Sequence, residues 1–347
     1  MDRSGAGLTV PLDPLLPETP AIHEVRLAVR AWLSAHDARK VCVALSGGAD
    51  SAALTAAAVA EADEVHAIVV DHGLQEGSSG IAARAAEFAY ARGCVAARVV
   101  AVEVTGPGGL EAAARAARYR ALDDARGEMP VLLGHTLDDQ AETVLLGLGR
   151  GSGLRSIRGM APFDNPWGRP LLGVRRETTR RACDELGYRP YEDPHNADPR
   201  FTRVRLRTEA LPLLEEILGG GVAAALARTA AQLRDDGDAL DAAAADLLDR
   251  AAAPRDATGE NGVDVTVLTD APSAVRRRAV RLWLLARGAS APNDKSLRAI
   301  DDLVVRWHGQ GPVAVGRGPR PGTRLVVLRR RGRLSTEFVD QQRCADD

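Results

Sequence analysis

The chain has 347 residues, 27% of them charged, and a formal net charge of −2. That length accommodates a large core and predicts two domains, while four scattered cysteines without a C-x-x-C pair exclude a disulfide scaffold and a zinc ribbon. No apolar run approaches the roughly eighteen residues that span a bilayer, and Met1 to Pro20 lacks the basic-then-apolar order of a secretory leader, so a cytoplasmic location with no membrane partner is expected.

Taken in order, the Pro-studded residues 1–20 read as a flexible tail, and Ala21 to His36 places Val25, Leu27, Val29, Trp32 and Leu33 on a broad helical face. The run from Val41 is a buried strand that breaks at Ser46-Gly47-Gly48-Ala49-Asp50-Ser51 into an Ala-rich helix through Ala62. Strands at Val65–Val70, Ala97–Val102 and Val131–His135 then alternate with helices at Ile81–Gly93, Leu110–Arg126 and Asp138–Leu148. Such alternation implies an α/β fold with a doubly wound parallel sheet, whose ligands collect at the carboxyl ends of the strands. Three polar clusters fall there: Ser46–Ser51, Asp71-His72 and His135–Glu142. Beyond Gly149 come helices at Arg175–Leu186 and about Phe201–Leu218, then the hinge-like Gly219-Gly220-Gly221. A long Ala/Leu helix at Val222–Ala252, or a pair broken near Gly237, leads to helices at Ala274–Ala286 and Lys295–Trp307 and β-like pieces at Val313–Val315, Leu325–Leu328 and Arg333–Phe338. The expected organisation is therefore an α/β unit over residues 21–218 and a smaller α+β unit over 222–347.

A strand ending in two glycines before a helix can wrap backbone N–H groups around an anion, because glycine reaches unusual φ/ψ and carries no Cβ. The helix start at Ala49-Asp50-Ser51 adds unpaired N–H groups and a positive dipole end. A carboxylate at Asp50 would repel a bare phosphate, so it fits chiefly if a divalent cation lies between them. The commoner P-loop is excluded, since no Gly-Lys pair occurs. Asp138, Asp139 and Glu142 crowd the start of the next helix; Asp138 reads equally as an N-cap, while Asp139 and Glu142 are three apart and share a face, able to grip one cation, metal or ammonium. Glu111, Arg115 and Arg118 form a stripe that by itself reads as a solvated face. His72 suits either a nucleotide-pocket rim or packing. The string Gly147-x-Gly149-x-Gly151-x-Gly153 follows a helix instead of a strand and is not a dinucleotide fingerprint. From Arg150 to Arg207 thirteen Arg stand against seven Asp and Glu, a local +6 that marks a polyanion-facing segment.

Ser-Gly-Gly-x-Asp-Ser after a strand resembles the PP-loop of the ATP pyrophosphatases, whose domain is of the adenine nucleotide alpha hydrolase type. The further motifs are Gly109-Leu-Glu-x-x-x-Arg-x-x-Arg-Tyr119, Gly134-His-x-x-Asp-Asp-x-x-Glu-Thr143, Arg150-Gly-Ser-Gly153 and Arg169-Pro-Leu-Leu172. Glu192-Asp-Pro-x-Asn196, Arg200–Arg207 and Leu211-Pro-Leu-Leu214 follow. Their order, over about residues 40–216, is similar to that of the tRNA(Ile)-lysidine synthetase family. The resemblance implies a ligase that uses ATP and Mg²⁺ to adenylate the wobble cytidine of tRNA(Ile) with a CAU anticodon, after which free L-lysine displaces AMP. It implies ATP contacts from Ser46, Gly47, Gly48, Ala49, Asp50 and Ser51, a nucleotide pocket with His72 and His135, and a metal at Asp50 and Asp138. Lysine would be held by Asp139, Glu142 and Arg115, and tRNA by Arg200, Arg203, Arg205 and Arg207, the competing reading of Arg203 and Arg207 being internal ion pairing. Val204 departs from the Asn that many members carry. A thiolase of the same superfamily would need cysteine pairs that are missing here. A non-catalytic RNA-binding module would have no use for Asp50, and aromatics are only 3% of the chain. The oligomeric state stays open, a homodimer included.

Overall fold

The computed structural model describes residues 16–75, 77–106, 109–151, 153–193, 197–252, 262–289, 292–317 and 322–340. Most of the expected tail, together with His195, Asn196 and Cys344, lies outside the described residues. The tail reading ends early: Thr19 accepts a hydrogen bond from the Ile22 N–H (3.4 Å) as the cap of α1 (Pro20–Ala35). Pro20 opens that helix at a position where a missing N–H costs nothing.

Strand β1 (Lys40–Ala44) is the middle of the first sheet, and its alternation shows why. Val41 and Val43 enter one buried cluster, with α2 (Ala49–Glu61) and the face of α1, whereas Cys42 and Ala44 enter another on the opposite side. A strand buried on both faces is what a parallel sheet covered by helices requires. It pairs in parallel with β2 (Glu64–Asp71) on one side and β4 (Val131–Leu132) on the other. Helix α3 (Ser78–Ala91) leads to β3 (Ala96–Ala101), parallel to β2 at the sheet edge, and α4 (Leu110–Ala125) crosses back to β4. The order β3-β2-β1-β4 therefore reverses direction between β1 and β4. At that switch point the loops leaving both strands diverge and open a crevice.

After α5 (Leu137–Gly149) and the short α6 (Leu154–Ile157), two pieces absent from the sequence reading extend the sheet: β5 (Phe163–Asp164) and β6 (Trp167–Gly168). Strand β6 pairs with β4 in parallel and β5 is antiparallel to it; at two residues each, neither shows a period. A 3₁₀ turn at Pro170–Gly173 precedes α7 (Arg176–Glu185), which packs on α1 and α2. The expected Arg-rich helix is present but interrupted: α8 (Thr202–Arg205), a π-helical turn at Leu206–Ala210, then α9 (Leu211–Ile217). Pro212 has no N–H for the Thr208 carbonyl and its ring crowds that oxygen, and the widened turn accommodates both.

Helix α10 (Val222–Ala251) runs unbroken through Gly237. The chain divides into two compact units between Arg234 and Asp235, inside this helix. The division falls beyond the glycines at 219–221 because Ala223 packs with Leu137, Ala141 and Leu211 of the first unit. The second unit contains β7 (Val263–Asp264), α11 (Val265–Thr269), α12 (Ser273–Ala286) and α13 (Asp294–Val305). Strands β8 (Val313–Arg317), β9 (Thr323–Arg330) and β10 (Arg333–Asp340) complete an antiparallel sheet, order β7-β10-β9-β8. Its core includes Leu247, Leu268, Trp283, Ile300, Val327 and Leu334. No single helix among the described residues is long and apolar enough to cross a membrane.

Helix α5 lies so close to α6 that a Cβ on Gly147 would stand 2.2 Å from the Ser156 carbonyl oxygen. Helix propensity would favour Gly147→Ala by up to about 1 kcal/mol, but the obstacle is backbone, and overpacking of this kind costs about 1–3 kcal/mol. We expect a lower melting temperature for Gly147→Ala; a melt at or above that of the unsubstituted protein would contradict the contact.

Candidate functional site

The loop after β1 is held by its own side chains. Ser51 Oγ accepts from the Ser46 N–H (3.1 Å) and donates to the Gly48 carbonyl (2.9 Å), which closes the turn. Gly47 has φ +82, in the left-handed region that favours glycine, and its carbonyl receives the Tyr188 hydroxyl (3.3 Å) and the Tyr191 N–H (2.9 Å). Gly48 caps α2 without a side-chain hydrogen bond. The first N–H groups of the helix are thus not taken by a side-chain cap and suit an anion. From the other side of the switch point Gly134 comes in closely, and a Cβ there would lie 3.1 Å from Asp50 C and Ser51 N.

Next to this loop stands a network of acids and arginines. Asp139 forms a capping box with Thr136, taking the Thr136 N–H at 2.8 Å on Oδ2 and leaving Oδ1 to the Arg176 guanidinium. Glu142, one turn on, is fully buried and receives Arg207 Nε at 2.8 Å and Arg176 Nη1 at 3.3 Å, with Arg203 Nη1 3.7 Å away. Arg176 also reaches Asp50 (3.8 Å), whose other oxygen accepts the Thr179 hydroxyl. Burial pushes the Asp50 carboxyl up from its ordinary range, with Asp139 adding to this and Thr179 and Arg176 opposing it. Burial acts on Asp139 in the same sense, but Arg176 and the Thr136 hydrogen bonds outweigh it and hold that carboxyl low.

Asp138, expected at a metal, is committed elsewhere. It accepts the Arg176 backbone N–H at 2.8 Å and pairs with Arg175 at 3.1 Å, so it caps α7 instead of the pocket. Among the described residues no group of three or more His, Cys, Asp or Glu is placed to hold a metal. Asp50 stands in the loop itself and lines the cavity beside it, which fits Mg²⁺, an ion usually held by one or two carboxylates plus phosphate oxygens and water.

Two adjoining cavities follow from this arrangement. One, of about 340 Å³, is lined by Ser46, Ile68 to Gly73, Arg118 and Tyr191. The other, of about 890 Å³, is lined by the loop residues Ser46 and Gly48 to Ser51 and by Arg118, His135, Asp139, Arg176 and Arg207. His72 lines the first and His135 the second, and the Nδ1 atom of each is buried without a partner among the described residues. Arg115 is not brought to either cavity: it is exposed, donates to the Tyr119 hydroxyl at 3.2 Å and stacks on that ring. Arg118 lines both, and no hydrogen bond or ion pair to it is present among the described residues. Of the four arginines expected to face RNA, Arg200 pairs with Asp198 and Arg205 with Glu209 on the surface, while Arg203 and Arg207 turn to Glu142. The internal pairing weighed for these two from the sequence is the state observed. Val204 is buried between them.

A profile of the PP-loop domain matches residues 22–214, and one of the TilS substrate binding domain matches residues 264–335. The chain is 64% identical over 330 residues to the tRNA(Ile)-lysidine synthase of Rhodococcus erythropolis, covering 95% of this chain and 99% of that one. It is 62% identical over 330 residues to that of Rhodococcus jostii, with the same coverage. The Nocardia farcinica tRNA(Ile)-lysidine synthase is 64% identical over 314 residues, 90% of this chain and 96% of its own.

The chain belongs to the tRNA(Ile)-lysidine synthase family. It is an enzyme whose PP-loop domain uses ATP, and the loop predicted at Ser46–Ser51 contributes Ser46 and Gly48 to Ser51 to the lining of the larger cavity of this synthase-family domain. Sequence reasoning missed Arg176 and Thr179. Four arginines at 175, 176, 180 and 181 look alike in the sequence, and only the packing of α7 on α2 turns Arg176 inward.

Burial holds the His135 imidazole well below its ordinary pKa; Asp139 opposes this, and the Arg118, Arg169 and Arg115 charges add to it. The folded state therefore prefers the neutral ring. The unfolded chain takes up the proton below about 6.5, so this contribution to stability is complete above that pH and is lost as the pH falls. We expect His135→Gln to lose less stability than the unsubstituted protein between pH 7 and pH 5 in urea titrations, and parallel pH profiles would contradict the assignment.

Proposed function

We propose that the chain joins free L-lysine to C2 of the wobble cytidine of tRNA(Ile) with a CAU anticodon, through an adenylated tRNA. The observation that carries this is a single cavity lined both by the anion-binding loop with Asp50 and by Asp139, with the buried Glu142 hydrogen-bonded to the same guanidiniums. In the first step cytidine O2 bonds to the α-phosphorus of ATP, the α–β anhydride breaks and pyrophosphate leaves. In the second an amine of lysine bonds to C2, the C2–O2 bond breaks, AMP departs with the oxygen, and the amine gives up a proton.

The loop N–H groups and the α2 N-terminus suit the phosphates, and Arg118, between the two cavities, suits developing negative charge. Mg²⁺ held by Asp50 and the phosphates would neutralise charge on the leaving pyrophosphate. His72 and His135 each present a neutral ring with an unpartnered nitrogen, suited to hydrogen-bonding a base or ribose. His135 binds a proton too weakly to serve well as a base. Asp139 and Glu142 supply the negative charge an ammonium needs, and Arg118 takes over the anion-holding duty expected of Arg115. Arg200 and Arg205, in exposed pairs of the kind that contribute little, can exchange their carboxylates for RNA phosphates. Residues 264–335, matched by the substrate-binding profile, are a second tRNA contact in this reading. The reaction belongs in the cytoplasm.

Asp50→Asn keeps the shape and removes the charge. We expect pyrophosphate release at saturating ATP and tRNA to fall by at least two orders of magnitude, with tRNA affinity largely kept; release at the unsubstituted rate would sink the metal role. A two-stage assay separates the half-reactions, quantifying adenylated tRNA without lysine and then titrating lysine. Glu142→Gln and Arg118→Gln should each raise the lysine requirement tenfold or more, Glu142→Gln with adenylation retained and Arg118→Gln with adenylation also slowed. Arg115→Gln should change neither stage by more than about twofold. If Glu142→Gln loses adenylation and keeps its lysine requirement, the acids serve the metal and lysine binds elsewhere.

A further inference from the structure

The acids expected to receive an ammonium are already occupied. Asp50, Asp138, Asp139 and Glu142 are matched one for one by Arg175, Arg176, Arg203 and Arg207, each of these arginines lying within 4 Å of at least one of the acids. Glu142 has no exposed surface, and its carboxylate faces guanidinium nitrogens of Arg176, Arg203 and Arg207. A lysine ammonium reaching Asp139 and Glu142 would meet Arg176, Arg203 and Arg207 already beside those carboxylates, and like charges at such range repel most where water is excluded, as at the fully buried Glu142.

The four arginines differ in how firmly they are placed. Arg176 is 12% exposed and tied to three acids, whereas Arg207 and Arg203 are 31% and 44% exposed and hang from the interrupted helix that also carries Arg205, with Arg200 in the turn just before it. These two are the more exposed arginines on Glu142, and four arginines fall within residues 200–207, where a polyanion can be met.

We propose that Arg203 and Arg207 stopper the amine pocket of the free enzyme and that RNA phosphates draw them off, leaving Asp139 and Glu142 with uncompensated charge for lysine. They act as positioning residues, and lysine is admitted when tRNA is bound. The inference rests on the reading of these acids as the lysine site. Thermodynamic linkage requires the effect to be mutual, so lysine must strengthen tRNA binding by the same factor.

The test is equilibrium dialysis of labelled L-lysine against the full chain, with and without unmodified tRNA(Ile) transcript and without ATP, paired with tRNA titrations at zero and saturating lysine. We expect tRNA to tighten lysine binding by about tenfold, within the usual range of coupling, and lysine to tighten tRNA binding equally. In Arg203→Gln, the milder change because its guanidinium is the more exposed of the two and lies farther from Glu142, free-enzyme lysine affinity should rise several-fold and the coupling should shrink. Arg207→Gln should do so more strongly, with thermal melts confirming that both variants are folded. Lysine affinity in the unsubstituted enzyme that is the same within twofold with and without tRNA overturns the stopper. In that event Glu142→Gln decides what remains: lost lysine affinity leaves the pocket reading standing, and retained affinity removes pocket and stopper together.

Discussion

A single guanidinium ties the catalytic unit together. Arg176 reaches Asp50 from the loop after β1, Asp139 and Glu142 from the helix after β4, and through its backbone N–H Asp138 as well. These groups come from the two sides of the topological switch point, and without a cation between them their carboxylates would repel one another across the crevice. Burying such a charge is unfavourable unless its partners are arranged around it. The arrangement depends on α7 packing against α1 and α2, and so on Ala182 and Cys183 being buried there.

That dependence explains what was legible in the sequence. Strand-glycine-helix grammar and the alternation of apolar runs placed β1 to β4, the helices between them and the loop at Ser46–Ser51, because each rests on local patterns of period two or 3.6. The acids at Asp138, Asp139 and Glu142 were visible as a cluster for the same reason. Which of them faces the cavity was not, since that turns on partners far away in the chain: Asp138 is drawn to α7 by the Arg176 N–H, and Glu142 is covered by residues some sixty positions later. Arg115 and Arg118 are three apart on one helix, and the choice between them needed the position of that helix over the sheet.

The Arg-rich segment shows the limit from the other direction. Counting charges from Arg150 to Arg207 gives a local +6, but net charge does not say which arginines are spent internally. Arg203 and Arg207 are spent on Glu142 and Arg176 on three acids, while Arg200 and Arg205 are engaged only at the surface. The segment reads from its sequence as one helix over about Phe201–Leu218, and the π turn that carries Arg207 was not legible, because Pro212 excludes an ordinary turn without specifying its replacement.

The capping box at Thr136 and Asp139 has an evolutionary consequence. Capping boxes usually carry Glu or Gln at their third position, whereas here Asp holds the Thr136 N–H with one oxygen and Arg176 with the other. A glutamate would keep the charge and could keep the cap, but its extra methylene would carry the second oxygen away from where Arg176 waits. The Asp-to-Glu exchange that drift makes most readily is therefore closed at this position, because the same four atoms serve the folding of a helix and the charge of a pocket.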